Sequence, residues 1–142
     1  MSIQTLKDRL PDNAKDLRLN LSTLTGETVL TEQQKAGTFI AAALASRNVD
    51  VIQAINDEFA GNLDSAAYTA VKAAAAIMGM NNVYYRFLHL TTNEEYGRLP
   101  AKLRMNVIGN PGTAKQDFLF EKCLASMKGV LEIEVVPSGS SK

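Results

Sequence analysis

Apolar residues recur along this chain at intervals of three and four, the spacing of one face of an α-helix. Ile3, Leu6 and Leu10 form such a stripe over residues 2–10, and Pro11 cannot extend that helix. Leu17, Leu21 and Leu24 form a second over 14–24. Gly26 lies just beyond, where a helix end often takes a left-handed residue. Thr31 with Gln34 three positions later is a capping-box pattern, and the helix it opens carries Phe39, Ile40, Ala43 and Leu44. Asn48 or Asp50 is placed to cap a fourth helix, with Val51, Ile52, Ile55 and Phe59 on its apolar face and Gly61 at its close.

Asp64 can cap the next segment, SAAYTAVKAAAAIMGMNNVYYRFLHL, the most apolar stretch of the chain. The small side chains of Ala73 to Ala76 let a neighbouring helix approach closely, so Ala74, Ile77 and Met78 are expected to be more buried than Lys72. Gly79 or the pair Asn81–Asn82 is a candidate kink or break. Pro100 suits the first turn of another helix, PAKLRMNVI, and Asn110-Pro111-Gly112 reads as a turn. Asp117 is placed to cap a final helix near 118–128. Beyond Gly129 the period drops to two: VLEIEVV alternates apolar and charged residues as a strand does. Glu132 and Glu134 are its solvated face, and PSGSSK reads as a disordered tail. The domain reading is an incomplete helical unit over 1–128 and a divergent tail over 129–142.

Composition narrows the function classes. At 142 residues the chain suits one domain. Its apolar content of 46% and charged content of 21% fit a globular protein. Fifteen basic residues balance fifteen acidic ones, so no basic excess points to a nucleic-acid or membrane-surface partner. No apolar run approaches the ~20 residues of a membrane span, and the polar start has no signal-peptide core. A cytoplasmic protein is the expectation. One cysteine, Cys123, leaves no internal disulfide, and one histidine, His89, precludes a multi-histidine metal site within the chain. No cofactor is expected.

Three stretches carry a resemblance: LKDRLPDNAKDLRLNLSTL, AAAAIMGMNNVYYRFLHL and LPAKLRMNVIGNPGTAKQDF. The second and third are not generic helical patterns. They resemble the alkyl hydroperoxide reductase D (alkylhydroperoxidase) family, the peroxidase branch of the carboxymuconolactone decarboxylase-like fold, from about residue 1 to Phe118. The resemblance implies an all-α fold and a homo-oligomer, commonly a trimer. It also implies an antioxidant thiol–disulfide adaptor and weak peroxidase. Electrons would pass from a lipoylated protein to a Cys-x-x-Cys pair, and on to a peroxiredoxin that reduces organic hydroperoxides. A histidine four residues after the second cysteine and a glutamate upstream would serve as proton relay. The attacking thiol must be a thiolate, which a nearby base, cation or helix end provides.

The chain departs from the family at that motif. Val130-Leu131-Glu132-Ile133 occupies the place of Cys-x-x-Cys, the histidine position falls on Pro137, and Leu119 follows Phe118 where the family has its glutamate. Glu121 stands two residues further on, on another helix face. The family's closing helices are expected to be missing, since the sequence stops at Lys142. A frameshift or truncation explains the strand-like tail and early stop together, and is preferred here to a natural pseudoenzyme.

The expectation is therefore an inactive family member with no catalytic, cofactor-binding or metal-binding residue. The alternative is a non-catalytic helical oligomerisation protein or a remnant, and lactone decarboxylase chemistry is more distant still. Cys123 reads as a small buried apolar group, and His89 as a packed or surface histidine. Arg86 and Arg104 are expected to pair with Glu94, Glu95 or Asp117, or to reach a subunit boundary. Met78, Met80 and Met105 with Tyr84, Tyr85 and Phe87 read as core or oligomer contact rather than a pocket.

Overall fold

The structure, a computed structural model, describes residues 1–118, and among them there are only helices and turns. In chain order the α-helices are α1 (Ile3–Asp8), α2 (Lys15–Thr25), α3 (Glu32–Ser46), α4 (Val49–Phe59), α5 (Ser65–Thr91), α6 (Glu94–Arg98) and α7 (Asn106–Gly109). A further helical turn covers 115–118. The all-α fold class follows directly from the 3.6-residue periodicity. The expected strand-like segment 129–142, most of the expected 118–128 helix, and Leu119, Glu121 and Cys123 lie outside the described residues.

Side-chain caps set the starts of α3, α4 and α5. The Thr31 hydroxyl accepts the Gln34 amide at 3.2 Å while the Gln34 side-chain oxygen accepts the Thr31 amide at 3.2 Å, a complete capping box. Asn48, rather than Asp50, caps α4 by accepting from the Val51 amide at 3.1 Å. Asp64 accepts from Ala67 at 2.7 Å and opens α5. Each acceptor satisfies an amide that has no partner within its own helix.

The core lies where α3, α4 and α5 meet. Ala36, Ile40 and Ala43 of α3, Ile55 and Phe59 of α4, and Val71, Ile77 and Met78 of α5 are all buried in one cluster. Phe39 and Phe59 stack with centroids 4.5 Å apart and planes within 10°. Ala74 is fully buried, whereas Lys72 is exposed with its ammonium 4.7 Å from the Tyr68 ring centroid. The α1 helix lies antiparallel to α4: the Met1 ammonium meets Asp57 at 2.7 Å and Arg9 meets Asp50 at 2.7 Å. Exposed pairs of this kind set orientation more than they add stability.

The tertiary structure corrects several sequence expectations. The α5 helix runs unbroken for 27 residues through Gly79, Asn81 and Asn82. The Asn81 side chain bonds to another segment, so it does not compete for its own backbone. Gly26 is not left-handed (φ −86°); its amide closes α2 on the Thr23 carbonyl. The left-handed helix ends are instead Arg47 and Thr92.

Pro100 does not open a helix. Lys102 takes a left-handed φ of 50°, and helix is confined to α7. Half-buried Leu103, Met105 and Val107 alternate there with exposed Lys102, Arg104 and Asn106. Packing of alternate side chains against the core thus overrides a weak local helix preference. Asp117 lies inside the 115–118 turn, whose Phe118 amide bonds the Ala114 carbonyl at 3.2 Å. Leu17 (61% exposed) and Leu24 (54%) form the expected stripe on α2, yet only Leu21 of that stripe packs on the core. Among the described residues no helix is long and apolar enough to cross a membrane.

Candidate functional site

The family resemblance places a glutamate just after Phe118 and the thiol pair at 130 and 133, all outside the described residues, so Phe118 and its neighbours are the last described residues before the candidate site. Phe118 is fully buried against Ala70 and Ala74, with Val107 and Ile108 beside them. The alanines matter here: a larger side chain on that face of α5 would occupy the volume the phenyl ring fills. The ring therefore anchors the 115–118 turn onto α5.

On the other side of that turn, Asp117 accepts a hydrogen bond from Gln34 Nε2 at 3.0 Å. Gln34 is thus a hub. One end of its amide completes the α3 cap, and the other ties the start of α3 to a segment 83 positions later. Leu30, Gln34, Gln116 and Asp117 line a shallow cleft of about 180 Å³.

The loop entering α3 is held by charge. Lys35 is buried, a rare state for a lysine. Its Nζ donates to the Glu27 carbonyl at 3.2 Å and to Glu32 Oε1 at 2.9 Å. The Glu27 carboxylate accepts from the Val29 and Thr28 amides, each at 2.7 Å, and these bonds hold its pKa below the usual carboxylate range. The arrangement is a loop held by mutually satisfied charges.

The other candidates from the sequence do not converge on this edge. His89 is exposed in the last turn of α5. Arg86 and Arg104 pair with none of the expected carboxylates: Glu94 binds Arg98 at 2.8 Å, and Asp117 binds Gln34. Tyr84 and Tyr85 meet edge-on at 5.2 Å, and Phe87 meets Tyr96 at 6.1 Å. Tyr85 and Phe87 are exposed, so these rings form a surface rather than a pocket. Val83, Phe87 and Leu90, one helical face of α5, are exposed together. Met78 is buried, and Met80 and Met105 are half-buried. Among the described residues no group of three or more His, Cys, Asp or Glu side chains could hold a metal ion.

Sequence reasoning missed the second bond of Gln34, the burial of Lys35 and the pairing of Asn81 with Met105. The first and third join distant segments. Only Lys35 had a local sign, a lone lysine next to the otherwise apolar face of α3.

These features define an all-α protein built on an alanine-rich helix, against which the described residues end in a buried phenylalanine. No protein-family model matches the chain. Curated relatives do. The chain is 55% identical over 130 residues to alkyl hydroperoxide reductase AhpD of Brucella anthropi, covering 91% of this chain and 74% of that protein. It is 56% identical to the AhpD of Gluconacetobacter diazotrophicus, covering 71% of that protein. It is 55% identical to that of Rhodopseudomonas palustris, covering 72%. The chain belongs to the alkyl hydroperoxide reductase AhpD family. The 130 aligned residues cannot fit within 118 positions, so the similarity continues past Phe118.

Proposed function

We propose that this chain is an AhpD-family protein without the family's dithiol chemistry, and so without alkyl hydroperoxide reductase activity of its own. One observation carries the reading: Cys123 is the only thiol. A dithiol–disulfide cycle needs two sulfurs, one to attack and one to resolve. Val130 and Ile133 at the family's cysteine positions supply neither, Pro137 supplies no base and Leu119 no acid. On this reading the family-like unit spans 1–128, and 129–142 is a divergent tail.

The protein works, on this reading, as a cytoplasmic helical homo-oligomer, a trimer by family resemblance. The exposed apolar stripe of Val83, Phe87 and Leu90 supports association. A peroxiredoxin and a lipoylated protein, the partners the resemblance implies, would find no dithiol here to exchange with.

The test is a peroxidase assay with organic hydroperoxide and a dithiol donor. No turnover above background is expected. Sustained consumption that disappears in Cys123→Ser would overturn the reading and make Cys123 a working thiol.

A further inference from the structure

Asn81 is an anomaly. Only 6% of its surface is exposed, in the middle of α5. A buried carboxamide usually finds partners for both its donor and its acceptor. Here Nδ2 donates to one atom, the thioether sulfur of Met105 at 3.4 Å, and Oδ1 has no partner. A thioether is a weak acceptor. The structure therefore spends a buried amide donor on a group that scarcely uses it.

We propose that Met105 is an oxidation site, and that Asn81 is the built-in hydrogen-bond donor for its sulfoxide. The oxidant is a hydroperoxide. The Met105 sulfur lone pair attacks the distal oxygen of ROOH, the S–O bond forms and the O–O bond breaks. The proton on the distal oxygen passes to the leaving RO⁻, giving ROH. Sulfur loses two electrons and the peroxide gains two.

The product oxygen is a strong acceptor next to an amide that lacks one. Sulfoxide formation ordinarily disrupts packing, because it makes an apolar side chain polar. Here it would replace a weak N–H···S contact with a strong N–H···O=S bond. Met105 is half-buried, so peroxide can reach it, whereas Met78 is buried in the core. The segment before it can adjust: Lys102 and Arg104 are exposed, and Lys102 already stands at a left-handed φ of 50°. Oxidation would then fasten residues 101–105 more firmly to α5.

The experiment treats the full chain with hydrogen peroxide and reads two signals. The mass of the peptide holding Met105 reports oxidation, and limited trypsin cleavage after Lys102 and Arg104 reports docking of the segment. Met105 is expected to gain one oxygen before Met78 does. Cleavage of the oxidised protein should slow about fivefold, the effect of one added hydrogen bond on the open population. In Met105→Leu, peroxide should leave cleavage unchanged. In Asn81→Leu, oxidation should instead speed cleavage, since the sulfoxide then has no donor. Faster cleavage of the oxidised wild type, or no oxygen on Met105 in the folded protein, overturns the proposal, and both are read without the Asn81 variant. An equal response in wild type and Asn81→Leu overturns the role of Asn81.

Discussion

Gln34 and Asp117 lie 83 positions apart and are joined by a 3.0 Å hydrogen bond that ties the start of α3 to the last described helical turn. The same glutamine closes the capping box with Thr31. Two tasks, one local and one long-range, thus depend on one side chain. Gln34→Ala should cost about 1–2 kcal/mol, a cap plus one tertiary hydrogen bond. Asp117→Ala should cost only the tether, about 1 kcal/mol. Urea unfolding of the two single variants and the double variant checks this. If the Gln34→Ala cost did not exceed that of Asp117→Ala, the double role would be wrong.

The Phe39–Phe59 stack joins α3 to α4 at the centre of the core. Phe59 is buried, so Phe59→Ala leaves a cavity as well as losing the ring contact. A cost of about 3–5 kcal/mol is expected. Phe59→Leu keeps most of the volume and should be markedly milder. Thermal unfolding of both variants separates cavity from general disruption.

Ala74 has no room for a larger side chain, because Phe118 packs against it and both are fully buried. Ala74→Leu should destabilise by about 1–3 kcal/mol. It should also release the 115–118 turn, so that amide exchange of Phe118 rises more than that of the α3 core. Uniform exchange across both would show that the turn is not anchored there.

Glu27 gives a pH signature. The Val29 and Thr28 amides hold its carboxyl below the ordinary value of 4.5. A lowered folded pKa means stability that is present above the unfolded pKa and lost as pH falls through the folded one. Glu27→Gln should therefore lower Tm at neutral pH. The gap between variant and wild type should close as pH drops below the ordinary carboxylate range. A gap that stayed constant down to that range would remove the carboxylate from the account.

The α5 stripe makes a prediction for association. Phe87→Glu with Leu90→Glu adds charge to an exposed apolar face and touches no core residue. Sedimentation should shift toward monomer while Tm of the folded unit changes little. A wild-type protein that is already a monomer, stable to dilution, would sink the oligomer reading.

Each long helix was legible because its cause is local. Period 3.6, the Thr31–Gln34 box, and Asn48 and Asp64 just before their apolar runs all act within one or two turns. The family resemblance was legible for a related reason: AIMGMNN and LRMNVIGNPG are contiguous strings. The short turn 115–118 was read three residues late, because Asp117 looked like a cap when its partner was distant Gln34.

By itself the sequence determined the approximate positions of α1 to α5, the all-α class, the family and the presence of a single thiol, all set by neighbouring residues or by composition. Only the tertiary structure decided the rest. It left Leu17 and Leu24 exposed while Ala74 is buried, kept α5 whole through Asn81, and held Pro100 to Met105 out of a helix. The physical reason is that a glycine or a proline states only a local preference, about 1 kcal/mol for glycine and about 3 for proline, and a stripe names a face without naming its partner. Burial of side chains such as Phe118, Phe59 and Ile40 outweighs that preference, and which of them meet depends on contacts made by residues far apart in the chain.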